Sequence, residues 1–386
     1  MEFGLTEEQR LIKQTAKEFA DEKLAPLAAE YDKSEEFTAP QAKMLGEMGF
    51  LGMMVPEEYG GAGLDTVSYV LALEEVSRAC ASTSVTMTVQ NSLVCWPISH
   101  FGTDEQKRKY LMPLAQGVTL GCYGLSEPAA GSDPASMATT AAEDGDSYIV
   151  NGSKIFISNG GVADVAIIWT QTNREMKHKG ITCFIVEATT PGYTVGAEEK
   201  KLGIRGSNTV ELHFENCRVS KENILGEIGE GFKVAMQTLD GGRIGIAAQA
   251  VGIGQACLDV AVKYAHERHA FGKPLAEIEA IQIKVADMAM EVQASRLLTM
   301  HAAWMKDQGL RFSKEAAIAK LHASEAATKA SHTALQIHGG YGYLRDFPVE
   351  RLYRDARITE IYEGTSEIQR LVISSMTLKE GRPATE

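Results

Sequence analysis

Basic residues are scarce in this 386-residue chain: 38 Lys and Arg stand against 51 Asp and Glu, a formal net charge of −13. Nucleic acid and anionic membrane surfaces are held by clustered Lys and Arg, so neither is an expected partner. An anionic small ligand would need basic residues supplied locally. The six cysteines, Cys80, Cys95, Cys122, Cys183, Cys217 and Cys257, show no C-x-x-C spacing and have apolar neighbours. Buried free thiols in a reducing compartment are therefore expected, rather than disulfides or zinc. No apolar run approaches eighteen residues, and the start, Met1-Glu-Phe-Gly-Leu-Thr-Glu-Glu-Gln9, has neither a basic n-region nor an apolar h-region. Neither targeting nor membrane insertion is expected. A cytoplasmic bacterial protein is the default expectation, and a mature mitochondrial matrix protein would share these features. Two further motifs are empty. His266-Glu-Arg-His269 has no accompanying carboxylate or cysteine ligand set, and Gly226-Glu-Ile-Gly-Glu-Gly231 lacks the strand that precedes a dinucleotide fingerprint, so neither metal nor nicotinamide is implied.

What is present falls into three blocks, giving a mainly α, multidomain α+β protein. Residues 1–118 read as helical, opened by Thr6-x-x-Gln9 and again by Thr103-x-x-Gln106, both capping boxes, with Leu11, Ile12, Ala16, Phe19 and Ala20 as an apolar stripe. Residues 119–226 read as a small antiparallel barrel or sandwich. Tyr148 to Ile157 would be two strands around an Asn151-Gly152 turn, followed by β-rich runs at Val165–Thr170, Ile181–Val186 and Thr209–Phe214. Residues 227–386 return to long helical periods, over Ala235–His266, Glu277–Gln308 and Ser313–His338, as in a bundle.

The most chemically suggestive stretch is Ile361-Tyr-Glu363-Gly364-Thr-Ser366-Glu-Ile-Gln369. Ser366 and Gln369 have capping-box spacing, so Glu363 sits on a glycine hinge just before a helix start. Free N–H groups there can hold a polarised oxygen, and Gly364 lets a ligand approach the backbone. The alternative is a solvated glutamate in a tight turn. Asp240 and Arg243 have i,i+3 spacing, which alone would be a surface ion pair, but they flank a double glycine. Between Ser82 and Pro97 no side chain is charged.

Five separated motifs give these hints a common context. They are Tyr123-Gly-Leu-Ser-Glu-Pro-Ala-Ala-Gly-Ser132-Asp133; Lys154-Ile-Phe-Ile-Ser-Asn-Gly160; Arg268-His-Ala-Phe271-Gly272-Lys273-Pro274; Gln336-Ile-His-Gly339-Gly340-Tyr-Gly342; and Arg354 to Thr365. In this order and spacing, from about Leu5 to Leu378, the chain resembles the acyl-CoA dehydrogenase family, and within it the short-chain, butyryl-CoA type. The resemblance implies an N-terminal helical domain, a middle antiparallel β-barrel and a C-terminal four-helix bundle. It also implies FAD, an acyl-CoA substrate, electron-transferring flavoprotein as electron acceptor, and a homotetramer built as a dimer of dimers. Short-chain members serve fatty acid β-oxidation and branched-chain amino acid catabolism.

Carried onto this chain residue by residue, the resemblance makes Glu363 the base that removes the α-proton while flavin N5 takes the β-hydride. Its backbone N–H, with a ribityl hydroxyl, would grip the thioester oxygen. Substrate contacts fall to Ser132, Asp240, Gly241, Gly242, Arg243 and Gly364. The isoalloxazine falls to Tyr123, Leu125, Ser126, Gly131, Ser132, Phe156, Ile157 and Ser158, with Phe156 over a ring face; ordinary strand core is the alternative for Phe156. Diphosphate and adenine fall to Arg268, Phe271, Glu279, Gln336, Ile337, His338, Gly339, Gly340, Thr365, Ser366 and Glu367, in part from a neighbouring subunit. Glu279 departs from the family's usual glutamine, and a carboxylate near a diphosphate would be repelled. Trp96 would close the acyl pocket or pack in the core. Some relatives carry the base at the position of Gly242. The acyl group is open among butyryl, isobutyryl and 2-methylbutyryl, and two other readings stand beside the dehydrogenase: an oxygen-using acyl-CoA oxidase on the same fold, and a non-catalytic flavin-binding scaffold.

Overall fold

The computed structural model describes residues 4–380. Met1 to Phe3, at the head of the segment read for targeting signals, and 381–386, at the end of the last expected domain, lie outside the described residues. Helices come first. Both capping boxes form: Thr6 accepts from the Gln9 N–H at the start of α1 (Glu7–Phe19), and Thr103 does the same for Gln106. Ala16, Phe19 and Ala20 turn inward as the stripe requires, whereas Leu11 is exposed. Helix α2 (Thr66–Ala79) is buried along nearly its whole length. Asp65 caps it, and Asp307, from a distant helix end, accepts from the Thr66 and Val67 N–H groups at 2.8 and 3.1 Å.

Seven strands form the middle sheet: β1 (Gly121–Gly124), β2 (Thr140–Asp144), β3 (Ser147–Ser158), β4 (Val165–Gln171), β5 (Ile181–Glu187), β6 (Tyr193–Glu198) and β7 (Thr209–Ser220). The order is β1-β4-β2-β3-β7-β6, with β5 beside β4. Pairing is mostly antiparallel, but β1 runs parallel to β4. Strand β4 is buried on both faces, which accounts for its unbroken apolar run. Val165, Ile167 and Trp169 join the helical core while Ala166 and Ile168 join the sheet's own core. The expected hairpin at Asn151-Gly152 does not form. Those residues lie inside the single strand β3, at a register shift against β7 where Gly152 has φ +146°, so the pair marks a bulge. The hairpin turn falls instead at Gly145, between β2 and β3.

Helices α3 (Gly231–Glu267), α4 (Glu279–Asp307) and α5 (Ser313–His338) form the C-terminal bundle, followed by α6 (Pro348–Arg357) and α7 (Ser366–Glu380). By length and composition α3 could cross a membrane, yet most of it is buried in the protein core. It passes close to α2, since a β-carbon on Gly252 would fall 2.4 Å from the Glu74 carbonyl oxygen. The outer face of α4 carries Ile283, Met290, Leu297 and Trp304, all exposed and spaced by seven. All six cysteines are free and buried, as expected.

Candidate active site

Glu363 and Gly364 both adopt left-handed backbone, with φ +51° and +93°. That is costly for a glutamate, so neighbouring contacts must impose it. The Gln369 amide donates to the Glu363 carbonyl at 3.3 Å and to the Gly364 carbonyl at 2.9 Å. Lys320 Nζ, from α5, donates to the Gly364 carbonyl at 2.8 Å. The expected capping box is replaced by a different lock. Thr365 Oγ1 accepts from the Ile368 N–H, Ser366 is already helical with its hydroxyl unpartnered, and Gln369 reaches back past the cap to the hinge carbonyls. Among the described residues, the Glu363 N–H has no acceptor. The preceding Tyr362 hydroxyl donates to Gln249 Oε1, and the Gln249 amide donates to Ser84 Oγ at 2.9 Å, fastening the hinge to α3 and to the uncharged helix Ala81–Thr88.

Glu363 Oε2 is buried without a hydrogen-bond partner. A β-carbon on Gly242 would stand only 2.0 Å from it. Burial pushes the Glu363 carboxyl up to about 7, against the opposing pull of the Lys320 and Arg243 cations. Arg243 is itself buried. Its Nη1 donates to Asp240 Oδ1 at 2.7 Å, Asp240 Oδ2 accepts from Ser313 Oγ at 2.5 Å, and Arg243 Nε is left without a partner. Asp240 and Arg243 are therefore an interior pair, not a surface one. Burial raises the Asp240 carboxyl, while Ser313, Arg243 and Arg311 hold it down.

The residues expected around a flavin ring split between β1, its following loop and β3. Tyr123 packs at 4.4 Å on Trp169, and its hydroxyl is buried, unpartnered and within the field of Glu363 and Arg243. Leu125 is buried, and the Ser126 carbonyl accepts from the Ile155 N–H at 2.9 Å, joining the two motifs. A buried ion pair reinforces that joint: Lys154 Nζ lies 2.7 Å from Glu127 Oε1, and Glu127 also accepts from the Ala138 and Thr139 N–H groups. Burial takes the Lys154 ammonium down to about 8, with Glu127 opposing. Phe156 is not strand core: its φ is +60° and it is 65% exposed. Ile157 does point into the sheet core, leaving only its backbone for a ligand; Ser158 is half-buried, and Gly131 and Ser132 are exposed. Unpartnered Tyr123 Oη, Arg243 Nε and Glu363 Oε2, together with a phenylalanine held out of the sheet core at 156, fit a flat, hydrogen-bonding aromatic such as the flavin ring.

The remaining expected cofactor residues lie elsewhere. A cleft of about 460 Å³ is lined by Tyr264, Arg268, Ile337, His338, Gly339 and Gly340, among others. Tyr264 is 22 residues beyond Gly242 on α3 (264 − 242), about 33 Å at 1.5 Å per residue. The His338 ring stacks on Tyr264 and its Nδ1–H donates to the Ala334 carbonyl. Phe271 and Gly272, both at positive φ, make the turn of a two-stranded ribbon (His269–Ala270 with Lys273–Pro274), leaving Phe271 94% exposed. Glu279, first residue of α4, and Gln336 are exposed. Thr365 and Glu367 flank the hinge instead, beside buried Ser366.

Lys320, Gln249, Leu93, and the pairing of Glu127 with Lys154 were not among the residues singled out by sequence. Leu93 Cδ2, not Trp96, is the apolar atom 3.0 Å from a Gly242 β-carbon. Trp96 is partly exposed and stacks on His100 at 4.9 Å. For Lys320 the signal available was a lysine inside the alanine run of α5.

Comparison with known proteins covers nearly the whole chain. Family models described as the N-terminal, middle and C-terminal domains of acyl-CoA dehydrogenase match residues 6–118, 122–217 and 229–378. The chain is 54% identical to the mitochondrial short-chain specific acyl-CoA dehydrogenase of Rattus norvegicus over 98% of its own length and 92% of that protein's. The structure of butyryl-CoA dehydrogenase from Megasphaera elsdenii superposes with a TM-score of 0.96 at 46% identity, covering 98% of this chain and 100% of that one. A chain in a structure described as the electron transferring flavoprotein of Acidaminococcus fermentans does so with a TM-score of 0.97 at 49% identity, over 98% and 100%. The chain belongs to the acyl-CoA dehydrogenase family, FAD-dependent oxidoreductases that dehydrogenate acyl-CoA thioesters.

Proposed function

We propose that this protein dehydrogenates a short, uncharged acyl-CoA at Cα–Cβ to the trans-2-enoyl-CoA, with Glu363 as the base. The observation that carries this is the Glu363 carboxylate itself, buried, unpartnered and facing the glycine at 242. A base poised near neutrality combines availability with driving force for proton removal. The free Glu363 N–H supplies a donor for the thioester oxygen, so that negative charge developing there is stabilised as the α-proton leaves. The Arg243 and Lys320 cations keep the carboxylate available despite burial. Bound FAD supplies the acceptor for the hydrogen that leaves Cβ with its electron pair. Tyr123, Leu125, Ser126, Gly131, Ser132, Phe156, Ser158 and the Ile157 backbone would hold its ring. Asp240 to Arg243, Ser132 and Gly364 would orient the substrate, and the lack of charge along Ala81–Cys95 favours an apolar acyl tail over a carboxylate-bearing one.

The adenine half of FAD falls to Arg268, Phe271 and the Gln336–Gly340 stretch of a second copy, a reading supported by the cleft they line standing about 33 Å along α3 from Gly242. The seven-residue stripe Ile283, Met290, Leu297 and Trp304 supplies an apolar helix face for association, which supports a homotetramer built as a dimer of dimers. Electrons then pass to an electron-transferring flavoprotein, a reading supported by the likeness to the Acidaminococcus chain.

The test is anaerobic bleaching of the yellow holoenzyme by butyryl-, isobutyryl- and 2-methylbutyryl-CoA, in parent and Glu363→Gln. The variant should retain flavin and bind acyl-CoA but reduce at least about 10²-fold more slowly. Reduction near the parent rate would exclude Glu363 as the base. Rapid peroxide release on admitting air would assign the protein to the oxidases instead.

A further inference from the structure

Helix α5 buries alanines and serines against its neighbours: Ala316, Ala317, Ala319, Ala323, Ser324 and Ala327. Lys320 lies in the middle of that face with its side chain wholly out of solvent. A buried ammonium is expensive unless it is paired and hydrogen-bonded. Its one hydrogen bond among the described residues goes to the Gly364 carbonyl. Among the described residues, no carboxylate oxygen lies within 4.0 Å of it to form a direct ion pair. A methionine would fill the same space among alanines at lower cost. The charge therefore calls for a reason at the one loop it touches.

We infer that Lys320 is the positioning residue for Glu363, latching the hinge through the Gly364 carbonyl and acting as counter-charge to the adjacent carboxylate. The inference rests on the reading of Glu363 as base and adds how that base is held. The latch complements Gln369, which grips the same carbonyl from α7. Together they hold a glutamate in left-handed backbone that it would not otherwise keep. The groups whose charges act on Glu363 are Lys320 on α5 and Arg243 on α3; the phenols of Tyr69 on α2, Tyr123 on β1 and the adjacent Tyr362 also lie in its field. Lys320 in turn is influenced by Glu363, Arg243, Glu360 and Glu367. Arg243 is paired with Asp240 at 2.7 Å, so of the two cations acting on the base Lys320 is the one without a carboxylate partner of its own, and it is the larger influence. Consistently, burial lowers the Lys320 ammonium to about 8, and Glu363 is the first opposing influence.

Single-turnover reduction of the holoenzyme by butyryl-CoA, followed from about pH 5.5 to about pH 8.5, tests this, because its acid limb reports ionisation of the base. Lys320→Gln keeps a donor for the Gly364 carbonyl but removes the charge. Its acid limb should move up by about one pH unit, with the rate at about pH 6.5 falling roughly tenfold. Lys320→Arg keeps the charge and should leave the limb in place. A Lys320→Gln limb that does not move, with rates reduced uniformly or not at all, would reduce Lys320 to a structural lysine and overturn the inference. If the Gln variant fails to load flavin, the Arg variant decides: a displaced limb with the charge retained overturns it equally. Glu363→Gln is run alongside. Near-parent reduction there refutes the base itself, whereas a dead Glu363→Gln with an unmoved Lys320→Gln limb refutes only the role given to Lys320.

Discussion

A β-carbon on Gly242 would stand 2.0 Å from Oε2 of Glu363 and 3.0 Å from its carboxyl carbon. One residue belongs to the first third of α3 and the other to the hinge before α7, yet both face the same small volume. A side chain at 242 would enter the space that the Glu363 carboxylate holds.

Gly242→Ala should therefore displace the Glu363 carboxylate. We expect flavin retention unchanged and acyl-CoA-dependent bleaching slowed at least about tenfold, because a base moved by a fraction of an ångström loses alignment. The exchange Glu363→Gly with Gly242→Glu should recover part of the activity lost in Glu363→Gln, with a changed chain-length preference. Parent-like bleaching in Gly242→Ala would mean that the two positions do not compete.

The Glu363 carboxyl, near 7 in the fold against an ordinary 4.5, holds a proton more tightly folded than unfolded. Its stabilising contribution is complete below about pH 4.5 and is lost as pH rises through 7. Glu363→Gln should then match the parent in thermal stability near pH 4.5 and exceed it at pH 8 by about 1–3 kcal/mol. Scanning calorimetry at the two pH values checks this; a variant less stable than the parent at pH 8 would contradict it.

Lys154 and Glu127 form an ion pair with almost no solvent contact, 2.7 Å apart. Removing one partner leaves a buried charge, so Lys154→Met should cost about 3–5 kcal/mol and weaken flavin retention. The double variant Lys154→Met with Glu127→Gln should regain part of the stability. If the double variant loses as much as Lys154→Met and Glu127→Gln lose separately in sum, measured by denaturant unfolding, the pair is not coupled.

Leu93 lies against Gly242, and Trp96 stacks instead on His100. Leu93→Ala should move the preferred acyl chain to greater length, at about 2–4 kcal/mol of stability for the cavity made. Trp96→Ala should leave that preference unchanged while loosening the stack on His100. A bleaching series over straight-chain acyl-CoA thioesters separates the two, and the reverse ranking would restore Trp96 as the pocket's end.

The fold was legible where local chemistry decides it. Thr6 and Thr103 cap their helices as their spacing requires, because a capping box needs only four consecutive residues. Asn151-Gly152 misled because an αL-tolerant pair suits a bulge as well as a turn, and only the pairing of β3 with β7 selects between them. Ser366 and Thr365 are neighbours that could each cap, and Thr365 does so once Gln369 is drawn to the hinge carbonyls. At the site, Glu363, Asp240 and Arg243 stood out because charge beside glycine is unusual in a core-forming stretch. Lys320 did not: a lysine among alanines also describes a solvated helix face, and only the packing of α5 behind the hinge reveals that this one is enclosed.

The six enclosed thiols give the chain a built-in clock. Burial raises them further from ionisation, as for Cys80, Cys122 and Cys217, and thiolate is the form that reacts with alkylating and disulfide reagents. A thiol probe should therefore ignore the native protein and label it only as it opens. Because Cys80 and Cys95 lie among the N-terminal helices, Cys122, Cys183 and Cys217 on the sheet and Cys257 on α3, the sequence in which they react would time the loosening of each layer without any engineered reporter.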